Sequence, residues 1–206
     1  IMNRRGLSLL EMLLAIGITS IIGAAIASMM AASTNGLASK NDSRLSAIRL
    51  ATTQARLGAY IAPSMCILDK GTSHFTLWLE DSRESNTVHV SEIRWIRFNA
   101  ELNMLTVEFV DFPDTWTQSM IDASDIECNT LTDYESLLSA LRIDDVINSV
   151  NLVDAMDSCS FWLNDSIPFD ATRICIRFSF KSDYGVTSDS IIDETLRIHQ
   201  PPSEQQ

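Results

Sequence analysis

Residues 4–33 read RRGLSLLEMLLAIGITSIIGAAIASMMAAS, and this stretch decides the first element of the fold. Residues 12–33 contain neither a charged residue nor a proline. As an α-helix, this run would rise about 33 Å, enough to cross the roughly 30 Å hydrocarbon core of a bilayer. Glu11 stands alone at its start. An acidic side chain at the edge of a membrane segment is costly, so Glu11 requires a partner.

A purely local explanation exists for the same residues. Ser8 and Glu11 fit the S-x-x-E capping box, in which the two side chains satisfy free N–H groups at the start of a helix. An uncleaved signal anchor would carry such a cap. An ordinary secretory signal peptide fits less well, because its apolar core is shorter and its cleavage site lies after that core.

The segment resembles the N-terminal signal of type IV pilins and pseudopilins. In that family, basic residues precede a glycine, a hydrophobic residue, Ser or Thr, two aliphatic residues and a glutamate. The corresponding positions here are Arg4 and Arg5, Gly6, Leu7 and Glu11. The resemblance implies a basic leader peptide over residues 1–6, cleavage after Gly6 by a prepilin peptidase, and N-methylation of Leu7. It also implies assembly with other pilins or pseudopilins and contact with an inner-membrane assembly platform.

Glu11 is the principal candidate for an assembly residue. In a bundle of such helices, its carboxylate would pair with the α-amine of Leu7 in a neighbouring subunit. Each of these charges would be costly alone in a low-dielectric setting, and their pairing would set the axial register between subunits. The alternative role for Glu11 is a helix cap at the membrane edge.

Charge and hydropathy together predict the location of the chain. Its net charge is −12, and removal of residues 1–6 with Arg4 and Arg5 would make it −14. This acidity argues against nucleic acid as a partner. The two arginines precede the apolar run, so the positive-inside rule predicts a cytoplasmic N-terminus. We therefore expect a single-pass protein of the bacterial inner membrane, in contact with lipid over residues 7–33, that carries a periplasmic domain and later enters a pilus or pseudopilus.

The helix is predicted to continue well beyond the apolar run. No proline occurs before Pro63, which disfavours helical geometry at Ala62, so the sequence predicts a helix from about Leu9 to Ile61. Residues 34–62 are predicted to be amphipathic and to pack on the sheet that follows. The stripe expected to make that contact consists of Leu45, Ile48, Thr52, Ala55 and Ala59.

Residues 63–200 are predicted to form a β-rich globular domain, followed by a polar tail over residues 201–206. Alternation is clearest in residues 173–181, where the inward side chains would be Ile174, Ile176, Phe178 and Phe180. A hairpin is expected between residues 93–98 and 105–110. Further candidate strands are residues 65–68, 75–79, 158–163 and 196–199.

Residues 114–148 are predicted to be a helical insertion in this domain. A short helix is expected over residues 118–123, and Thr132 opens a second capping box before the helically spaced Leu137, Leu138 and Leu141. The predicted fold class is α+β and pilin-like, with a long N-terminal helix on a mainly antiparallel sheet. The length and the late strands resemble the larger minor pseudopilins of the J or W type.

The cysteines do not suggest metal or redox chemistry. Cys66, Cys128, Cys159 and Cys175 form no C-x-x-C pair, which gives little support to zinc binding. An oxidising compartment would permit disulfides, with three possible pairings, all of them open. The alternative is four small buried thiols.

Charged residues suggest three weaker sites. The turn with Asp81, Glu84 and Asn86 contains oxygen ligands that suit calcium, but nothing fixes a coordination array, so we expect a solvated turn and no metal site. An acidic stretch surrounds Trp116 and is expected to be plain charged surface, with contact to a basic partner or to a second subunit as the alternative. It comprises Asp111, Asp114, Asp122, Asp125 and Glu127. Four arginines in predicted strands are expected to pair with carboxylates across the sheet, with a binding patch as the alternative. These are Arg94, Arg97, Arg173 and Arg177.

Catalytic motifs are missing from the sequence. It contains no H-E-x-x-H, no G-x-S-x-G, no P-loop and no dinucleotide fingerprint. We therefore expect no enzyme activity, no catalytic residues and no cofactor. The leading hypothesis is a minor pilin or pseudopilin, a structural subunit of a type II secretion pseudopilus or a type IV pilus. The alternative is an uncleaved, membrane-anchored periplasmic binding domain that does not polymerise.

Overall fold

The computed structural model describes residues 9–181 and 187–203, apart from the side chains of residues 10, 11, 32–43, 181, 187 and 188. The chain divides into two compact units, residues 1–47 and residues 48–206. Helix α1 is assigned over Leu9–Ile61, so the predicted helix is confirmed. Its first part lies in the first unit, and its last turns, from Ile48 onward, belong to the second unit.

The second unit is an α+β domain whose described residues form three antiparallel sheets. The largest has the strand order β1-β2-β4-β5-β7, a second has the order β10-β9-β8, and β3 pairs with β6. The predicted α+β class with a mainly antiparallel sheet is confirmed. The elements after α1 are β1 (Cys66–Lys70), β2 (His74–Trp78), β3 (Val88–His89), β4 (Ile93–Asn99), β5 (Met104–Val110), α2 (Gln118–Ser124), β6 (Glu127–Cys128), α3 (Tyr134–Ile143), β7 (Ile147–Val153), β8 (Met156–Leu163), β9 (Arg173–Lys181) and β10 (Thr187–Thr195).

The five-stranded sheet is covered on both faces. In β2, Phe75 and Leu77 enter a core shared with the three-stranded sheet, whereas Trp78 enters a second core on the opposite face. This second core also contains Trp95 of β4 and Leu138 of α3. Strands buried on both faces do not show a strict alternation of apolar and polar residues. The helical insertion therefore closes one face of the sheet.

The last turns of α1 close the other face, but not with the predicted stripe. Leu57 and Ile61 are fully buried in the first core, and Thr53 is buried beside them. The predicted stripe of Leu45, Ile48, Thr52, Ala55 and Ala59 is exposed, so this prediction was wrong. The packed face is rotated toward larger side chains because Leu57 and Ile61 bury more apolar area than the two alanines would.

The three-stranded sheet confirms one predicted strand and corrects another. β9 covers the predicted residues 173–181, and its four inward side chains are buried. Residues 196–199 are not a strand, because the Leu196 and Arg197 amides donate to the carbonyls of Thr172 and Ala62 instead of a ladder. The strand that completes the sheet is β10, which pairs with β9 along its whole length. β10 was not predicted, because its sequence contains several serines and aspartates.

The helical insertion contains α2 and α3 as expected, together with strand residues that were not predicted. The short strand β6 lies between the two helices, and β7 begins at Ile147 inside the predicted range. Asp133, not Thr132, is the N-cap of α3, since its carboxylate accepts from the amides of Glu135 and Ser136. The Thr132 hydroxyl accepts instead from the amide of Asn129.

Candidate functional site

The predicted processing site lies largely outside the described residues. Arg4, Arg5, Gly6 and Leu7 all precede the first described residue, Leu9. Glu11 lies in the first turn of α1, although its side chain is also outside the description. The described part of the candidate site is therefore the apolar helix that follows Glu11.

The apolar part of α1 has the length and composition of a membrane-spanning helix. Residues Met12–Ala31 have a mean hydropathy of 2.1, and none of this segment is buried within the chain. Large apolar side chains point to all sides of the helix, as at Leu13, Ile16 and Ile18, a pattern that needs an apolar environment all round. Length and hydropathy alone do not distinguish such a helix from a signal sequence near an N-terminus.

The few polar groups of this segment are satisfied within the helix. The hydroxyl of Thr19 donates to the carbonyl of Ala15 at 2.9 Å, and that of Ser20 donates to Ile16 at 2.8 Å. Ser28 bonds back to Ala25 in the same way at 2.8 Å. Because a hydroxyl without a partner costs several kcal/mol in hydrocarbon, these bonds make the segment compatible with lipid.

The predicted turn over residues 81–86 is organised by its own aspartate. The Asp81 carboxylate accepts from the amides of Ser85 and Asn86 at 3.0 and 2.8 Å. Glu84 and Asn86 adopt φ values of 53° and 57°. Across residues 9–181 and 187–203, no group of three or more His, Cys, Asp or Glu side chains is arranged to hold a metal ion. The turn is therefore a hydrogen-bonded loop.

Two acidic side chains are buried beneath that loop. The Glu92 carboxylate accepts from the Trp78 indole at 3.0 Å, the Ser82 hydroxyl at 2.9 Å and the amides of Arg83 and His89. Asp125 is also buried, which corrects its prediction as plain charged surface. The two carboxylates hold the segment between β2 and β4 in place, because every oxygen accepts a hydrogen bond.

The arginines predicted to pair with carboxylates mostly do so. Arg97 pairs with Glu135, and Arg173 pairs with Asp193 across β9 and β10. Arg177 lies 2.9 Å from Asp189 on the same face of the sheet. Arg94 differs, because its guanidinium donates to the carbonyls of Ser91 and Ile93 and lies over the ring of Phe109.

The four cysteine thiols are free, so the structure contains none of the possible disulfides. Cys66 and Cys128 are buried in the second core. Burial raises the pKa of each of these thiols to about 12. Burial likewise raises the pKa of the half-buried Cys159 to about 12. These three thiols are therefore packing groups and are poor nucleophiles at neutral pH.

One concave surface was not predicted from the sequence. Residues from the β5–α2 segment, from the α2–β6 segment and from α3 line an apolar groove of about 470 Å³. Its sequence signal was the pair Phe112 and Trp116 around Pro113, two aromatic residues in an otherwise polar segment. The sequence places Trp116 within an acidic stretch, but it did not predict a cavity there.

Comparison with known proteins adds no family assignment. No family model and no curated protein matches this chain.

Proposed function

We propose that this chain is a minor pilin or pseudopilin, a structural subunit anchored by its N-terminal helix and built into a filament through it. The observation that carries the proposal is the sequence spacing of three features: Gly6, Glu11 five residues later, and the uncharged run over residues 12–33. The length and hydropathy of Met12–Ala31 support the same proposal. So does the α+β architecture, in which a long N-terminal helix leads into antiparallel sheets.

Glu11 has the central role in the proposed assembly. After cleavage behind Gly6, the chain would begin at Leu7, and its α-amine would carry a positive charge four residues before Glu11. Packed apolar helices form a low-dielectric core in which either charge alone would be costly. Pairing Glu11 with the amine of a neighbouring subunit removes both costs and fixes the axial offset between subunits.

The globular unit would then lie outside the helical core or at the filament tip. In a type II secretion pseudopilus or a type IV pilus, the globular unit would contact partner subunits or exported protein. It would act without catalysis or a cofactor. The partners are a prepilin peptidase, other pilins or pseudopilins, the assembly platform and membrane lipid. The net charge of −12 makes nucleic acid an unfavourable ligand.

Processing is tested by mass spectrometry of the intact protein and its N-terminal peptide, isolated from the native membrane. The proposal expects a chain that begins at N-methylated Leu7. A chain that retains Arg4, Arg5 and Gly6 beside an active prepilin peptidase would overturn it. That result would identify an uncleaved anchor that carries a periplasmic domain.

The role of Glu11 is tested by one conservative substitution. Glutamine can replace glutamate in a capping box, so Glu11→Gln preserves a helix cap but removes the charge. The proposal expects Glu11→Gln to abolish incorporation into filaments while membrane insertion and cleavage continue. Ser8→Ala is the matched control, because it removes the cap and leaves the charge. If Glu11→Gln assembles normally and Ser8→Ala fails, Glu11 is a cap and the assembly role is wrong.

A further inference from the structure

The apolar groove described above is lined in part by a stacked pair of aromatic rings. The rings of Phe112 and Trp116 lie 5.6 Å apart at an interplanar angle of 26°. Both side chains are partly exposed, although each presents a large apolar surface. Leu137 and Leu141 of α3 and the half-exposed Ile126 also line the groove. The cavity of about 470 Å³ falls within the range of pockets that enclose a ligand group.

The groove also offers polar groups without internal partners. Within the described part of the chain, the Trp116 indole N–H makes no hydrogen bond. The Asp144 carboxylate, which lines one end of the groove, takes part in no hydrogen bond or ion pair with those residues either. A hydrogen-bond donor and a carboxylate beside an apolar surface are the features that fix the orientation of a bound ligand.

The electrostatic field at the groove is negative. Residues 111–146 contain nine acidic side chains and one basic side chain, Arg142. Asp122 and Asp125 pair with Arg83, and Glu135 pairs with Arg97, so the acidic excess comes from the other six carboxylates. Arg142 lies 2.6 Å from Glu108, so its charge is already paired. Asp144 caps the C-terminus of α3, where the helix dipole adds further negative potential. A cation next to an apolar anchor is therefore the complementary ligand, and a second copy of this chain, at −12, is a poor one.

We propose that this groove binds a peptide segment of a partner protein in which a large apolar side chain is flanked by lysine or arginine. The apolar side chain lies against Phe112 and Trp116, and the basic neighbour pairs with Asp144. The Trp116 indole donates to a peptide carbonyl. No residue of the N-terminal segment takes part, so this inference stands apart from filament assembly.

The test measures binding of fluorescein-labelled peptides to the full chain in phosphatidylcholine nanodiscs, by fluorescence anisotropy, with empty nanodiscs subtracted. The probe is the peptide Gly-Arg-Trp-Arg-Gly. Gly-Glu-Trp-Glu-Gly keeps the anchor and reverses the charge, and Gly-Arg-Ala-Arg-Gly keeps the charge and lacks the anchor. We expect the probe to bind at least about tenfold more tightly than either comparison peptide, a difference of about 1.4 kcal/mol.

Two variants, each with a matched control, locate the binding. Ala140 lines the groove from an exposed helical position, so Ala140→Phe fills the cavity, and we expect it to weaken probe binding about tenfold. Ser139→Phe adds the same ring at an exposed neighbouring position that does not line the groove, and should leave binding unchanged. Asp144→Asn should weaken binding a few-fold and reduce its salt dependence. Asp154→Asn, at the far end of β7, should have no effect.

The proposal is overturned if the three peptides bind within about twofold of one another, or if no binding is seen up to about 1 mM probe. It is also overturned if Ala140→Phe retains both full affinity and the near-ultraviolet circular dichroism of the original chain. Processing at Gly6 can fail while this binding succeeds, and the reverse also holds, so the two proposals are separable.

Discussion

The Nε atom of Arg83 lies 2.7 Å from Oδ2 of Asp125, whose carboxylate is almost completely buried. Ser91 donates to the same carboxylate through its amide at 3.0 Å and through its hydroxyl at 2.9 Å. Asp125 is the C-cap of α2, and the other two residues lie in the segment between β2 and β4. This cluster therefore connects that segment to the helical insertion.

Replacement of Arg83 is expected to destabilise the globular unit strongly. Arg83→Met should lower the free energy of unfolding by about 3 kcal/mol, because a buried carboxylate loses its cation. Urea unfolding of the full chain, followed by near-ultraviolet circular dichroism, measures this change. The control is Arg177→Met, which breaks an exposed pair with Asp189 and should cost less than about 1 kcal/mol. Similar losses in the two variants would contradict the role given to Asp125.

The packed face of α1 gives a second prediction. Leu57 is fully buried and Ile48 is 52% exposed. Leu57→Ala should cost about 3 kcal/mol, because it removes core contacts and leaves a cavity. Ile48→Ala should stay within about 0.5 kcal/mol of the original chain. Thermal unfolding of the two variants under one condition compares them. If Ile48→Ala lowered the free energy of unfolding more than Leu57→Ala did, the stripe that contains Ile48 would be the packed face of α1.

The cysteines should differ in reactivity between the folded and unfolded chain. Burial raises the thiol pKa of Cys66 and Cys128 to about 12, so both are protonated in almost every folded molecule at pH 8. We expect iodoacetamide to leave both unmodified in the folded chain and to modify both in guanidinium. Peptide mass spectrometry after a timed reaction measures this. Rapid modification of Cys66 in the folded chain would show that the second core opens readily.

The Asp69 carboxyl group is expected to make the free energy of unfolding depend on pH. A hydrogen bond with His74, at 3.2 Å, lowers the pKa of the Asp69 carboxyl group, and partial burial opposes this effect. The folded pKa is therefore below the unfolded value of about 3.9. The stabilisation is present above about pH 4 and is lost as the pH falls through the folded pKa.

The variant Asp69→Asn isolates that component. It should be less stable than the original chain by a few tenths to about 1 kcal/mol at pH 6, because the pair is partly exposed. This difference should shrink as the pH falls through the folded pKa of Asp69, because the original carboxyl group then becomes protonated in both states. Melting temperatures between pH 6 and 2.5 provide the measurement, with Asp154→Asn as the control. A difference that is constant with pH would assign the effect to packing.

Several elements were predictable because their signals are local. The span of α1 followed from the missing prolines before Pro63, and β9 followed from the alternation of Ile174, Ile176 and Phe178 with polar residues. The hairpin of β4 and β5 was visible as two β-rich runs around a short polar turn. In each case, backbone geometry and side-chain period are set by residues a few positions apart.

Local sequence patterns specify helix α1, its apolar first part, strands such as β9 and the motif around Gly6 and Glu11. The tertiary fold selects which face of α1 packs, because that choice depends on the sheet surface that receives Leu57 and Ile61. It also decided that β10 pairs with β9, that Asp125 is buried beside Arg83 and that Phe112 and Trp116 meet α3 at a groove. These contacts join residues distant in sequence, and their energies depend on burial and complementary partners that no local pattern specifies.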